Sequence, residues 1–150
     1  MWRGILNKII IEKKSYGEKV NLGAEDDDIL ALCKETKNIF NSNIPLSYID
    51  FLKNINGLEF NGYIIYGIDQ KLLKTTPNQK IYGFIEQNKI LHENSKLQNY
   101  LFLGNSGISW YVYDLILNKF FELDSPSGEV IEEFNDFELL LEKMLSESIA

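Results

Sequence analysis

The 150-residue sequence contains one cysteine and one histidine. A single cysteine cannot form a disulfide framework, and the two residues together cannot supply the four ligands of a structural zinc site. No serine or cysteine nucleophile motif accompanies His92, so we interpret it as an exposed or helix-capping residue instead of a general base. The glycines match neither the P-loop nor the dinucleotide-binding fingerprint. We therefore expect neither a bound metal nor a cofactor.

Long hydrophobic segments are also missing. The apolar run near the start, residues 9–11, is much shorter than a signal-peptide core of about 7–15 residues or a membrane span of about 20 residues. The sequence therefore predicts no membrane association, and the free Cys33 fits a reducing compartment such as the cytoplasm. With 45% hydrophobic and 25% charged residues and no internal repeat, residues 1–150 are expected to form a single domain.

Positive charge is scarce at the C-terminal end. The formal net charge is -7 and the sequence pI is about 4.8, and a field of this sign repels nucleic acids. Residues 121–150 contain one base, Lys143, and nine acids. The acids are Glu122, Asp124, Glu129, Glu132, Glu133, Asp136, Glu138, Glu142 and Glu147. This charge run is either a solvated surface or a face that binds a basic partner.

Apolar residues at helical spacing predict amphipathic helices at both ends of the chain. The first helix carries its apolar stripe from Trp2 to Ile10, and acids at positions 25–28 suit the positive end of a second helix dipole. The last helix is predicted to begin at Asn135 as its N-cap, with Glu138 three residues later.

The middle of the chain combines helices and turns. A third helix is predicted from Ser47, with Asp50 three residues on, to a C-cap at residues 56–57. Residues 68–77 are expected to form an irregular connection. A weaker helical pattern covers residues 79–93, although it contains the helix-destabilising Gly83.

Short runs of β-branched and aromatic residues predict strands, and the Asn-Gly pair at 61–62 predicts a two-residue hairpin turn. The predicted strands cover residues 58–60, 63–66, 100–103, 108–115, 120–123 and 129–133. Residues 104–107 are predicted to form a turn. Helices before, within and after hairpin-linked strands indicate an α+β fold with a mainly antiparallel sheet.

Aromatic residues cluster in the predicted strand at 108–115, where alternation puts Trp110 on one face and Tyr111 and Tyr113 on the other. We interpret Trp110 as a core residue. The pattern leaves open whether Tyr111 and Tyr113 fill the core or form an exposed surface of the kind that anchors interfaces. Cys33 lies on the apolar face of the second helix and is interpreted as a small buried hydrophobic residue.

Five stretches, in order along the chain, carry a family resemblance. They are residues 44–52 (IPLSYIDFL) leading to 56–60 (NGLEF), 61–67 (NGYIIYG), 104–115 (GNSGISWYVYDL), 123–128 (LDSPSG) and 134–137 (FNDF). The first resembles the opening signature of the SUKH superfamily, which unites fungal Smi/Knr cell-wall-assembly regulators with many bacterial immunity proteins. The others are similar to its bacterial YrhA-like branch.

The resemblance implies an α+β domain whose bent sheet is framed by N-terminal, internal and C-terminal helices. It also implies a non-enzymatic domain that binds proteins. For a bacterial member, it implies an immunity protein that neutralises a cognate polymorphic or contact-dependent toxin by binding it. The alternative is an intracellular scaffold or regulatory module without a toxin partner.

The resemblance supplies no contact positions, so the predicted partner-binding surface rests on charge and aromatic pattern. An acidic strip would attract a basic nuclease-type toxin and speed its association. The predicted partner-binding residues are Glu122, Asp124, Glu129, Glu132, Glu133, Tyr111 and Tyr113.

Overall fold

The structure, a computed structural model, describes residues 1–75 and 79–150 and shows six α-helices and six strands within them. The helices are α1 (Trp2–Ser15), α2 (Asp26–Phe40), α3 (Leu46–Asn54), α4 (Asp69–Thr75), α5 (Phe84–Leu91) and α6 (Phe137–Ile149). The strands are β1 (Leu58–Phe60), β2 (Tyr63–Ile65), β3 (Tyr100–Asn105), β4 (Ser109–Asp114), β5 (Lys119–Asp124) and β6 (Val130–Phe134). A single 3-10 turn, Ser95–Leu97, precedes β3.

The six strands form one open, uncurled sheet in which each strand pairs antiparallel with the next along the chain. The predicted hairpin between β1 and β2 is confirmed. Asn61 and Gly62 at its turn both have positive φ, 50° and 84°, as a type I′ turn requires. The predicted α+β class with a mainly antiparallel sheet and flanking helices is confirmed.

Helices cover both faces of the sheet. On one face, the α6 residue Phe137 packs against Phe120 of β5, with ring centroids 5.9 Å apart. On the other face, Phe102 of β3 contacts His92, whose ring in turn lies 5.0 Å from that of Phe40 at the end of α2. Both faces of β5 therefore contribute to the core, whereas on β6 only Phe134 is buried.

The sheet opens between β2 and β3, where a side chain replaces a strand. β2 pairs with β3 through Ile64 and Ile65, and the next residue, Tyr66, donates its N–H to the Leu103 carbonyl at 3.0 Å. The chain then leaves β3 and forms a parallel bridge between Gly67 and Gly83. The buried Asn88 of α5 takes the vacated place. Its Oδ1 accepts from the Phe102 N–H at 2.7 Å, and its Nδ2 donates to the Phe102 carbonyl at 2.9 Å.

The predicted helix over 79–93 is wrong in its first part, because α5 begins only at Phe84, after Gly83. The N-terminal N–H groups of α5 are capped by a residue that is distant in sequence. The two carboxylate oxygens of Asp69 accept from the Ile85 and Glu86 N–H groups, both at 2.9 Å. A Cβ on Gly83 would lie 2.4 Å from that carboxylate. Gly83 is thus required beside a cap that is distant in sequence.

Two other predictions about loops are wrong. Asp69–Thr75 forms α4 where an irregular connection over 68–77 was predicted, and residues 76–77 lie outside the described part of the chain. The predicted turn at 104–107 starts too early, since β3 continues through Asn105. Gly104 is needed inside the strand, because a Cβ there would lie 2.5 Å from the Ile64 carbonyl oxygen.

The predicted cap of α3 is also incorrect. α3 begins after Pro45 without a side-chain cap, and Asp50 instead pairs with Arg3 of α1. α3 ends at Asn54, and its C-cap is the extended Ile55, two residues before the positive-φ Gly57.

The last helix is capped by a different residue from the one predicted. α6 begins one residue later than the sequence indicates, and the Asp136 carboxylate accepts from the Leu139 N–H at 2.9 Å. Asn135 therefore lies outside the cap.

We expect Asn88→Ala to destabilise the protein strongly, because it leaves the buried N–H and carbonyl of Phe102 without partners. Each unsatisfied backbone group costs about 1–3 kcal/mol, so the free energy of unfolding should fall by about 3 kcal/mol in urea denaturation. Asn38→Ala, on the exposed side of α2, is the matched control and should change it by less than about 0.5 kcal/mol. A comparable, small effect for both variants would contradict this role of Asn88.

Candidate protein-binding surface

The acidic stretch folds into β5, the following turn and β6, packed beside α6. The register pairs Glu122 with Glu132 across these strands and places both on the sheet face that α6 covers. β6 is the last strand of the sheet, so within the described residues its outer edge has no strand partner.

A buried carboxylate, Glu122, lies at the centre of this region and is 5% exposed. Its Oε2 accepts from the Ser109 hydroxyl at 2.7 Å, and its Oε1 accepts from the Lys143 ammonium at 2.6 Å. Lys143 also donates to Glu132 at 2.6 Å and lies 3.6 Å from Glu147. One ammonium group therefore partly neutralises three carboxylates.

Two opposing effects act on the pKa of Lys143. Partial burial by itself lowers this pKa, but the hydrogen bonds and charges of Glu122 and Glu132 outweigh it, so the pKa is raised above its usual range. Lys143 is therefore fully charged at neutral pH and anchors α6 to the sheet.

The two tyrosines of the predicted surface lie in different environments. Tyr111 is buried, and the loss of solvent raises its pKa above the usual range. Tyr113 is half-buried: its ring packs 4.9 Å from that of Phe120, and its hydroxyl donates to Asn118 Oδ1 at 2.9 Å. Trp110 packs against the core, as predicted.

The remaining predicted residues lie mostly at the surface. Glu129, Glu132 and Glu133 are exposed, whereas Asp124 is half-buried and accepts from the Ser127 hydroxyl at 2.6 Å within the turn. Glu133 also forms an exposed ion pair with Lys119 at 3.3 Å.

Two apolar side chains interrupt these charges. Val130 and Ile131 are 57% and 50% exposed on β6. We call residues 129–133 the acidic edge. An unpaired strand with exposed apolar side chains offers both backbone groups and apolar contacts to another protein.

A shallow depression of about 480 Å³ lies beside the acidic edge, between β6 and α6. Its lining includes Glu132, Glu133, Leu139, Glu142, Lys143 and Ser146. Leu139 is 49% exposed, so the depression offers an apolar contact surrounded by carboxylates. This chemistry suits a basic side chain with a long apolar stem.

His92 and Cys33, the two residues considered for a chemical role, both have a structural explanation. The His92 ring nitrogen Nε2 is 2.6 Å from the Tyr100 carbonyl oxygen, and the residue forms the C-cap of α5. Cys33 is half-buried against the core, and burial raises the pKa of its thiol, which makes it less reactive.

Among residues 1–75 and 79–150, no group of three His, Cys, Asp or Glu side chains could hold a metal ion. Within the same ranges, no helix combines the length and apolar character needed to span a bilayer.

Sequence reasoning did not identify the role of Lys143. The visible signal was that it is the lone base among the nine acids of residues 121–150. Which carboxylates it joins depends on the pairing of β5 with β6 and on the rotation of α6, neither of which the sequence reveals.

A family model described as SMI1-KNR4 cell-wall, of the SUKH group, matches residues 31–138. The chain belongs to the SUKH superfamily. The match runs from α2 into the start of α6 and covers more than two-thirds of the chain. No curated protein matches the chain. The YrhA-like branch stays a prediction.

SUKH domains are protein-interaction modules, and the family is generally non-catalytic. Membership is therefore consistent with a protein partner and with an immunity-type domain. The acidic edge is exposed to solvent on this SUKH domain.

We expect Lys143→Met to reduce the free energy of unfolding by about 3 kcal/mol at pH 7, because it leaves the buried Glu122 carboxylate without a cation. Urea denaturation measures this loss.

The control is Lys119→Met. Lys119 pairs with the exposed Glu133, so its loss should cost less than about 0.5 kcal/mol. Adding Glu122→Gln to Lys143→Met should restore part of the stability, because it removes the buried charge. A deficit of the same size in the double variant would contradict this explanation.

Proposed function

We propose that this SUKH domain is a bacterial immunity protein that neutralises a cognate polymorphic or contact-dependent toxin by binding it directly. The observation that carries the proposal is the family match over residues 31–138, because SUKH domains act through protein contacts. Inhibition is stoichiometric and needs no catalytic residue in this chain. The proposal treats residues 1–150 as one domain of the YrhA-like branch.

The toxin-binding surface in this proposal is the acidic edge with the adjoining turn and depression. Its charges favour a basic partner, such as a nuclease domain, and carboxylates there would occupy the place of phosphate groups. Val130 and Ile131 supply the apolar contacts that charges alone do not provide. Glu122 and Tyr111 support this surface from within, since both are buried.

A cytoplasmic location is part of the proposal. The chain has one cysteine, and this location suits a free thiol at Cys33. A toxin that enters the cell would meet the immunity protein there before it reaches its target.

A regulatory or scaffolding module without a toxin is the second candidate. The cell-wall description of the matching family model favours it. Affinity purification of the tagged protein from its native host, followed by mass spectrometry, separates the two. Recovery of a protein with a toxic C-terminal domain, whose toxicity is suppressed by co-expression, supports immunity, whereas recovery of regulatory proteins alone supports the second candidate.

We expect the double variant Glu129→Lys/Glu133→Lys to associate with the toxin domain at least about tenfold more slowly at low salt, because electrostatic attraction becomes repulsion. Stopped-flow or surface plasmon resonance measures the rate. Glu132 is left unchanged, since its bond to Lys143 would confound binding with stability. The difference should shrink at high salt, where exposed charges are screened.

The control is Glu12→Lys/Glu93→Lys, which makes the same change in net charge at exposed positions away from β6. It should slow association much less. An unchanged rate for the acidic-edge variant, or equal slowing by the control, would mean that the acidic edge does not bind the toxin.

A further inference from the structure

A second cavity, of about 490 Å³, lies at the opposite end of the strand order, beside β1. Three segments form most of it: residues 18–22 between α1 and α2, residues 55–59 around β1, and residues 79–81 before α5. We call it the β1 cleft. Its volume falls within the range of small-molecule sites in proteins.

The lining of the β1 cleft combines apolar side chains with lysines. The apolar residues are Val20, Leu22, Ile55, Leu58, Leu72 and Ile81, and the charged residues are Lys13, Lys19, Lys71, Lys80, Glu18 and Glu59. Four lysines thus face two carboxylates, in a chain whose net charge is -7. The local charge is opposite to that of the whole protein and of the acidic edge.

Two of the lysines already have protein partners. Lys13 donates to the Glu59 carbonyl at 2.8 Å and lies 3.4 Å from the Glu18 carboxylate. Lys71 lies within 4.0 Å of acids on α2 and before it. Lys19 and Lys80, in contrast, are exposed and have no ion pair with any residue in the described ranges.

The form of the cleft disfavours an extended peptide. A peptide would bind here by adding a strand to the outer edge of β1, which requires the carbonyl groups of that edge. The Lys13 ammonium already donates to the carbonyl of Glu59, the central residue of this three-residue strand, so a peptide would have to displace it. What remains is an apolar cavity next to two available cations.

We propose that the β1 cleft binds a small amphipathic anion, an apolar chain with a carboxylate head. The chain contacts Val20, Leu22 and Ile81, the apolar residues of the lining that are exposed or half-buried, and the carboxylate binds the ammonium groups of Lys19 and Lys80. This site is separate from the acidic edge and does not depend on the proposed toxin binding.

Dodecanoate, below its micelle concentration, is the probe, and dodecyltrimethylammonium is the matched cation with the same chain. Both are titrated into the full chain by isothermal calorimetry and by NMR of the backbone amides. We expect dodecanoate to bind at least about tenfold more tightly than the cation and to shift amides in residues 18–22, 55–59 and 79–81. The net charge of -7 favours the cation at other apolar surfaces, so a preference for the anion identifies the cleft.

The variant Lys19→Glu/Lys80→Glu should weaken dodecanoate binding roughly tenfold by replacing attraction with repulsion. Lys8→Glu/Lys14→Glu changes the net charge equally at exposed positions of α1 outside the cleft and should bind as the wild type does. If the charge-reversed cleft variant fails to fold, Lys19→Met/Lys80→Met replaces it, with a smaller loss expected. Absence of binding, a preference for the cation, amide shifts scattered over the surface, or equal affinity for cleft and control variants would overturn the proposal.

Discussion

The bond between the Asn88 amide and the Phe102 peptide group is the constraint on which the arrangement of this sheet depends. The backbone N–H and carbonyl groups of a buried strand must be hydrogen-bonded, and β2 ends before it can pair with Phe102 of β3. The Asn88 side chain of α5 makes these hydrogen bonds instead, which fixes the position of α5 relative to β3. The bridge between Gly67 and Gly83 fixes the residue that precedes α5. The β1–β2 hairpin then diverges from β3, and the β1 cleft forms along its outer side.

The second fixed point is the contact of Lys143 with Glu122, which attaches α6 to the sheet. A buried carboxylate is costly without a cation, so the ion pair defines one position of α6 relative to β5. The same ammonium group also pairs with Glu132, which leaves Glu129 and Glu133 as the carboxylates of the acidic edge that Lys143 does not contact. Under the proposed function, stability and recognition use different members of one acidic stretch.

Local signals predicted what depends on neighbours in sequence. The Asn61-Gly62 turn, the amphipathic helices and the strand runs all follow from patterns within a few residues. The errors concern partners far apart: Asp69 caps α5 beside Gly83, and Arg3 removes Asp50 from its predicted cap. For the candidate surface, the acidic run could be read from the sequence, but the burial of Tyr111 could not. Helices cover both faces of the sheet, so the alternation of residues along β4 does not show which side chains are buried.

The two edges of the sheet are protected from unspecific pairing by opposite charges. Unpaired strands invite association with other copies, and proteins counter this with charged side chains and bulges. At β1, the Lys13 ammonium takes the Glu59 carbonyl, and at β6, carboxylates and a shift of register near Leu123 interrupt the edge. An acidic edge repels a second copy of itself, yet it attracts a basic protein. Under the proposed function, the charges that keep β6 from pairing with another copy would also favour the approach of a basic partner.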